Sequence, residues 1–191
     1  MPITETSERF VENFLKDIGV SRKDKIVAVN PAASCISRRW PLQKFADLID
    51  QLIATYNVRV LIVADTIHRS LSEEVVRLSR SNPYDCSGRF SLSQLASLFK
   101  KCALVISNDS GPVHIAAAVE TPVIAIFGRN QPGLSPQRWA PLSKVHAIFH
   151  KKTDCTPCLA HNCLNQFKCL EAITVGEVLE QAGQILKEAI V

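Results

Sequence analysis

The chain has 191 residues, of which 47% are hydrophobic and 21% charged, with a formal net charge of +4. That length suits one domain of about 100 to 200 residues, and the composition excludes a disordered chain. The charge suits a phosphate-bearing ligand or an anionic membrane surface, but it falls short of the strongly basic balance of a nucleic-acid-binding domain, so no nucleic-acid partner is expected.

In chain order, residues 1–18 predict a helix with Phe10, Val11, Phe14, Leu15 and Ile18 on one face and Gly19 as its stop. After a polar turn, Ile26-Val27-Ala28-Val29 is a short β-branched run, continuous enough for a strand buried on both faces and ended by Asn30-Pro31. Pro41 opens a helix carrying Leu42, Phe45, Ala46, Leu48, Ile49, Leu52 and Ile53 at helical spacing. The runs Val58 to Ala64 and Tyr84 to Cys86 predict strands, and Ser70 to Arg80 and Ser91 to Lys101 predict helices. Ala103 to Ile106 and Pro122 to Phe127 are the strongest strands, with an apolar helix, Val113 to Val119, between them. Val145 to Phe149 predicts a last strand. From Thr174 helical spacing resumes through Val178, Leu179, Ala182, Ile185, Leu186 and Ala189, with Thr174 and Glu177 set as a capping box.

Alternating β and α units with continuous apolar strands predict an α/β domain: a Rossmann-like parallel sheet of five or six strands with helices on both faces. Ligands of such sheets bind beyond the carboxyl ends of the strands. That rule selects the loops at residues 30–40, 64–69, 107–112 and 128–132.

Among them, Ser107-Asn108-Asp109-Ser110-Gly111-Pro112 joins a strand to a helix, so backbone N–H groups and the helix dipole point at one spot suited to an anion. Gly111 lets the backbone approach the ligand, Pro112 suits the first helical turn, and Asp109 and Ser110 offer a carboxylate for hydroxyls and a hydroxyl for phosphate. His114 stands one turn further in. The competing, purely structural reading makes Asp109 or Ser110 an N-cap and His114 a packed core histidine. Arg38, Arg39, Arg129 and Arg138 read as solvated surface, with Arg38 excepted because of its loop; Trp40 and Trp139 read as packing residues.

Four of the seven cysteines, Cys155, Cys158, Cys163 and Cys169, fall within one short stretch. Their spacing allows a structural zinc site, with His161 as a spare ligand; reduced thiols packed in a loop and a pair of local disulfides are the other readings. The cluster is structural in each case, because no base for a nucleophilic thiol is adjacent.

The string Asn108-Asp109-Ser110-Gly111-Pro112-Val113-His114-Ile115-Ala116-Ala117-Ala118, with Thr121-Pro122-Val123 and Phe127-Gly128 after it, resembles the signature of glycosyltransferase family 9, which includes the lipopolysaccharide heptosyltransferases. Asn30-Pro31-Ala32-Ala33-Ser34 with Arg38-Arg39-Trp40-Pro41 resembles that family's first phosphate loop, and the cysteine cluster resembles a tail found in many members. The resemblance implies the C-terminal half of a GT-B fold, in which two Rossmann-like domains face each other and this one holds the nucleotide-diphosphate sugar, usually an ADP-heptose. Carried over, Ser110, Gly111 and His114 meet the pyrophosphate, Asp109 the sugar hydroxyls, and Ser34 and Arg38 the phosphates from the opposite loop. Arg38 stands where the family often has lysine. Ala32 replaces a frequent glycine, Ala64-Asp65 a glycine-rich turn, and His68 and Arg69 lie where a glutamate often holds the nucleoside; these departures leave the base open.

On this reading residues 1–24 are an N-terminal helix and linker. Residues 25–191 are the nucleotide-sugar-binding Rossmann-like domain, with a cysteine-rich loop over 155–169 and a C-terminal helix over 174–190. No catalytic residue is assigned to the chain: the family's general base is an aspartate of the N-terminal acceptor domain, so inverting sugar transfer is expected only with that domain, in cis or in trans. The implied acceptor is a lipopolysaccharide core or related glycolipid at a membrane surface, and catalysis needs no cofactor. No apolar run approaches the roughly 20 residues of a membrane span and residues 1–19 lack a signal peptide's apolar stretch, so the chain is expected in the cytoplasm, with peripheral attachment to the inner face of a bacterial inner membrane. A non-catalytic nucleotide or nucleotide-sugar binding module is the competing function.

Overall fold

The computed structural model describes residues 3–131, 133–142, 146–155 and 157–188. Six strands form one sheet: β1 (Ile26–Asn30), β2 (Arg59–Ile62), β3 (Tyr84–Asp85), β4 (Leu104–Asn108), β5 (Val123–Ile126) and β6 (His146–Phe149). Their order is β3-β2-β1-β4-β5-β6 and every neighbouring pair is parallel. The expected Rossmann-like architecture is present, and its strand order reverses between β1 and β4, which is where such sheets open a crevice for a ligand.

Alternate side chains of each central strand feed opposite layers. Val27 and Val29, Val60 and Ile62, Leu104 and Ile106, and Ile124 and Ile126 pack on one face against α2 (Leu42–Tyr56) and the C-terminal helix. Ile26 and Ala28, Leu61 and Val63, and Val123 and Ala125 pack on the other against α1 (Glu5–Asp17), α4 (Leu92–Lys100) and α5 (Gly111–Ala118). Period-two side-chain alternation within an unbroken apolar run is what lets one strand supply both cores. The remaining helices are α3 (Arg69–Leu78), two short turns, α6 (Pro136–Trp139) and α7 (Lys168–Glu171), and α8 (Val175–Glu188).

Boundaries move by a few residues where caps override periodicity. Thr4, not the chain start, caps α1 by accepting from Ser7 N–H, and Asn57, left-handed at φ 50°, ends α2 four residues past Ile53. Helix α5 starts at Gly111, two residues before its apolar run. Strand β4 continues through Ser107 and Asn108, because Asp109 N–H still bonds Ile126 O at 2.9 Å. Met1, Pro2, Pro132, Val145, Ala189 and Ile190, each within a predicted segment, lie outside the described residues. Among the described residues no helix is long and apolar enough to cross a membrane.

The capping box at Thr174 forms: Thr174 N–H donates to Glu177 Oε2 at 3.0 Å and Glu177 N–H to Thr174 Oγ1 at 3.2 Å. Lys151 also pairs with Glu177, and these bonds hold its carboxyl down at about 2, against an ordinary 4.5. The folded value lies below the unfolded one, so the stabilisation is complete above about pH 4.5 and is lost as pH falls through 2. Thr174→Ala is expected to cost about 1 kcal/mol at pH 6. Glu177→Gln should melt below the parent at pH 6 and converge with it towards pH 2, as thermal melts followed by circular dichroism would check.

Candidate donor-binding site

The loop after β1 and the turn after β4 meet through two buried asparagines. Asn30 Nδ2, at the end of β1, donates to Ala32 O, to Ser107 Oγ and to Ser110 Oγ at 3.1, 3.0 and 2.8 Å. Asn108 Nδ2 donates to Pro31 O at 2.7 Å while its Oδ1 accepts from Trp40 N–H at 3.0 Å. Each amide thereby ties the loop after β1 to the turn after β4, and satisfied buried amides of this kind specify one geometry because misplacing either would orphan it in a low dielectric. Trp40, fully buried against Phe45 with Nε1 donating to Ile173 O, anchors the far end of the loop, as its packing assignment requires.

The result is a cavity of about 380 Å³ over the carboxyl ends of β1, β2 and β4, at the lower end of the size range of ligand pockets. Ser34, Arg38, Ser110 and Gly111 all line it. Ser110 is the N-cap residue of α5, yet its side chain caps nothing: Oγ donates to Asn108 O and accepts from Asn30. The helix therefore presents an uncapped N-terminus on the cavity wall, with Pro112 contributing no N–H. At Gly111 a Cβ would meet nothing within 4 Å, and its backbone is not left-handed, so the glycine answers no demand of the fold itself. The opposite wall, Val63, Phe90, Leu92 and Leu95, is apolar; beside it Asp65 Oδ1 accepts from His68 N–H at 2.8 Å and faces His68 Nδ1 at the same distance.

Asp109 and His114 stand elsewhere. His114 is exposed and lies outside the cavity lining; its ring meets Trp139 edge-on at 6.2 Å. Trp139 is 41% exposed, and so is no core packing residue. Asp109 is buried beneath the turn, where Arg38 Nε lies 3.6 Å and Arg129 Nη2 3.2 Å from its Oδ2. Arg38 Nη1 also donates to Asp109 O at 3.4 Å.

Arg129 corrects the expectation of a solvated surface group: it is 3% exposed. The physical reason is Asp109, whose charge can be buried only with a counter-charge beside it. Sequence reasoning also missed Asn30, taken as a strand stop, and Asn108 as a latch. The available signal was position: each lies at the carboxyl end of a fully buried strand, where a polar side chain needs partners within the fold.

The cysteine-rich loop lies behind this assembly. All seven cysteines are free, so no disulfides form, and among the described residues no three His, Cys, Asp or Glu side chains group as a metal site. Cys155, Cys158, Cys163 and Cys169 line one cavity, and three of them have local hydrogen-bond partners. Cys155 Sγ accepts from Thr153 Oγ1 and Asn165 Nδ2, bonds that lower its pKa; Cys163 accepts from Phe167 N–H; Cys169, its pKa raised by burial, donates to Gly128 O at 3.0 Å. His161, the spare ligand, is bonded to Ser37 Oγ at 3.0 Å, beside Arg38. Gly128 admits no side chain, since a Cβ there would lie 2.5 Å from Ser37 O. The loop thus braces both arginine-bearing segments.

Residues 2–168 match the model of glycosyltransferase family 9 (heptosyltransferase). Lipopolysaccharide heptosyltransferase 2 of Salmonella typhimurium is 28% identical over 197 residues, covering 98% of this chain and 54% of that protein. Lipopolysaccharide core heptosyltransferase OpsX of Haemophilus influenzae is 29% identical over 150 residues, 78% of this chain and 40% of that protein. The chain spans about half the length of the curated relatives it matches. In structure, ADP-heptose lps heptosyltransferase II of E. coli superposes with a TM-score of 0.79 at 21% identity, over 100% of this chain and 54% of that one. E. coli heptosyltransferase WaaC with ADP gives 0.66 at 16% identity, over 97% and 58%. The family match includes the loop after β1, the Asn108-to-Pro112 turn and the cysteine-rich loop as far as Lys168, and the chain belongs to glycosyltransferase family 9, the heptosyltransferases.

Proposed function

We propose that this chain is the donor-binding domain, the C-terminal half, of an inverting GT-B heptosyltransferase acting on a lipopolysaccharide core or related glycolipid acceptor. The observation that carries the reading is the convergence of Ser34, Arg38, Ser110 and Gly111 on one cavity at the uncapped start of α5. The diphosphate lies against Arg38 and the helix N-terminus, the nucleoside against the apolar wall beside Asp65 and His68, and the sugar towards Asp109. That WaaC has been seen with ADP supports a nucleoside diphosphate as the ligand, with ADP-heptose as donor.

In an inverting displacement the acceptor hydroxyl loses its proton to a base, its oxygen bonds the anomeric carbon, and the nucleoside diphosphate leaves with the bonding pair. Arg38 and the α5 terminus stabilise the charge that develops on that leaving group. The base and acceptor surface come from an N-terminal domain, in cis or in trans, and peripheral membrane attachment in the cytoplasm suits a glycolipid acceptor.

Calorimetric titration with ADP, UDP, GDP and ADP-heptose tests the reading. Saturable binding of a diphosphate is expected. Arg38→Ala, which removes a charge-assisted bond of about 1.5 to 3 kcal/mol, should weaken it by roughly 10- to 150-fold. Gly111→Val should leave the melting temperature unchanged, because the position is open, yet weaken the diphosphate by intruding on its space. Unaltered binding by both folded variants would remove the ligand from this turn.

A further inference from the structure

We propose that a second cavity, at the carboxyl ends of β5 and β6, is an oxyanion site that takes a phosphate or carboxylate group borne on a sugar. It measures about 320 Å³ and is walled by Arg129, His150, Lys151, Lys152 and Asp154, with the four clustered thiols closing its far side.

Two residues of this wall each hold a buried nitrogen, Arg129 Nε and His150 Nε2, that has no hydrogen-bond partner among the described residues. Leaving a buried polar nitrogen unpaired costs about 1 to 3 kcal/mol, and more if charged, so two orphans on one cavity mark a place for an acceptor atom. Arg129 is nearly fully buried, and only its Nη2 is used by Asp109. A guanidinium carries five donors, so it can hold Asp109 on one side and an oxyanion on the other. Lys151 is committed to Glu177, but Lys152 is exposed, with no ion pair among the described residues, and the balance at the wall is positive despite Asp154.

The volume exceeds what a bare ion fills and reaches the lower end of the range for ligand pockets. Its position adds a second argument. Arg129 forms the partition between this cavity and Asp109, so a sugar held here stands beside the sugar end of the donor cleft. That placement rests on the donor reading; the oxyanion site itself does not.

The test uses the whole chain, saturated with ADP, and titrates inorganic phosphate, glucose 6-phosphate and uncharged glucose while following the His150 ring by NMR. Burial, with Lys152 nearby, holds the His150 pKa below the ordinary imidazole value. An anion beside it should raise that value, so binding should strengthen as pH falls. Saturating His150 shifts are expected with glucose 6-phosphate and phosphate but not with glucose, and His150→Gln/Lys152→Ala should weaken glucose 6-phosphate roughly tenfold while ADP affinity holds. Non-saturating shifts, or equal affinity in the double variant by calorimetry, would overturn the site, and saturation by phosphate alone would overturn the sugar-borne assignment. ADP titrated by itself reports separately on the donor cavity, so either reading can fail alone.

Discussion

Arg129→Met is expected to destabilise the fold by about 3 kcal/mol, because it keeps the bulk of a buried side chain and removes only the charge that compensates Asp109. Breaking one partner of a buried ion pair typically costs about 3 to 5 kcal/mol, since the other charge stays desolvated. Arg38 remains 3.6 Å from the same carboxylate oxygen, which places the loss at the lower end. For a chain of this size that is a fall of roughly 6 to 12 °C in melting temperature. Asp109→Asn in the Arg129→Met background should restore part of it, because the neutral amide leaves no stranded charge; the four melts form a double-mutant cycle that isolates the pair. A loss in Arg129→Met below about 0.5 kcal/mol, the range of ordinary surface substitutions, would mean that the pair does not form in solution.

Sugar transfer by the isolated chain should be lower than that of a full-length relative by at least the contribution of a general base, about 10² to 10⁴ in rate. On the proposed reading the cavity supplies Arg38 and the α5 N-terminus for the leaving group, and the proton acceptor belongs to the domain opposite. Adding a separately expressed acceptor domain should restore turnover if the two halves dock. The measurement is steady-state release of ADP from ADP-heptose with a soluble heptose acceptor. Turnover by the chain alone, at the full-length rate, would place the base within these residues.

Much of this molecule was legible in its sequence. Continuous apolar runs at Ile26 to Val29, Ala103 to Ile106 and Val123 to Phe127 dictate strands buried on both faces, and the helical stretches between them dictate parallel pairing. Thr174 with Glu177, and Ser107 to Pro112 after a strand, are local chemistry: caps and turns depend on neighbours a few residues away, so spacing alone exposes them. The family resemblance rested on the same turn, and the match over residues 2–168 bears it out.

Tertiary structure decided what depends on distant partners. Whether Arg129 was surface or buried turned on Asp109, twenty residues earlier, and on Arg38, which only the loop after β1 brings near. His114 keeps the spacing of a site residue, yet it faces Trp139 because the helix phase at Gly111 directs it away from the cavity lining. The four cysteines have ligand-like spacing, and the fold brings all four to one cavity with Arg129 and His150, which spacing alone does not show. Spacing along a chain says which groups can meet; long-range packing and the cost of burying charge unpaired decide which of them do.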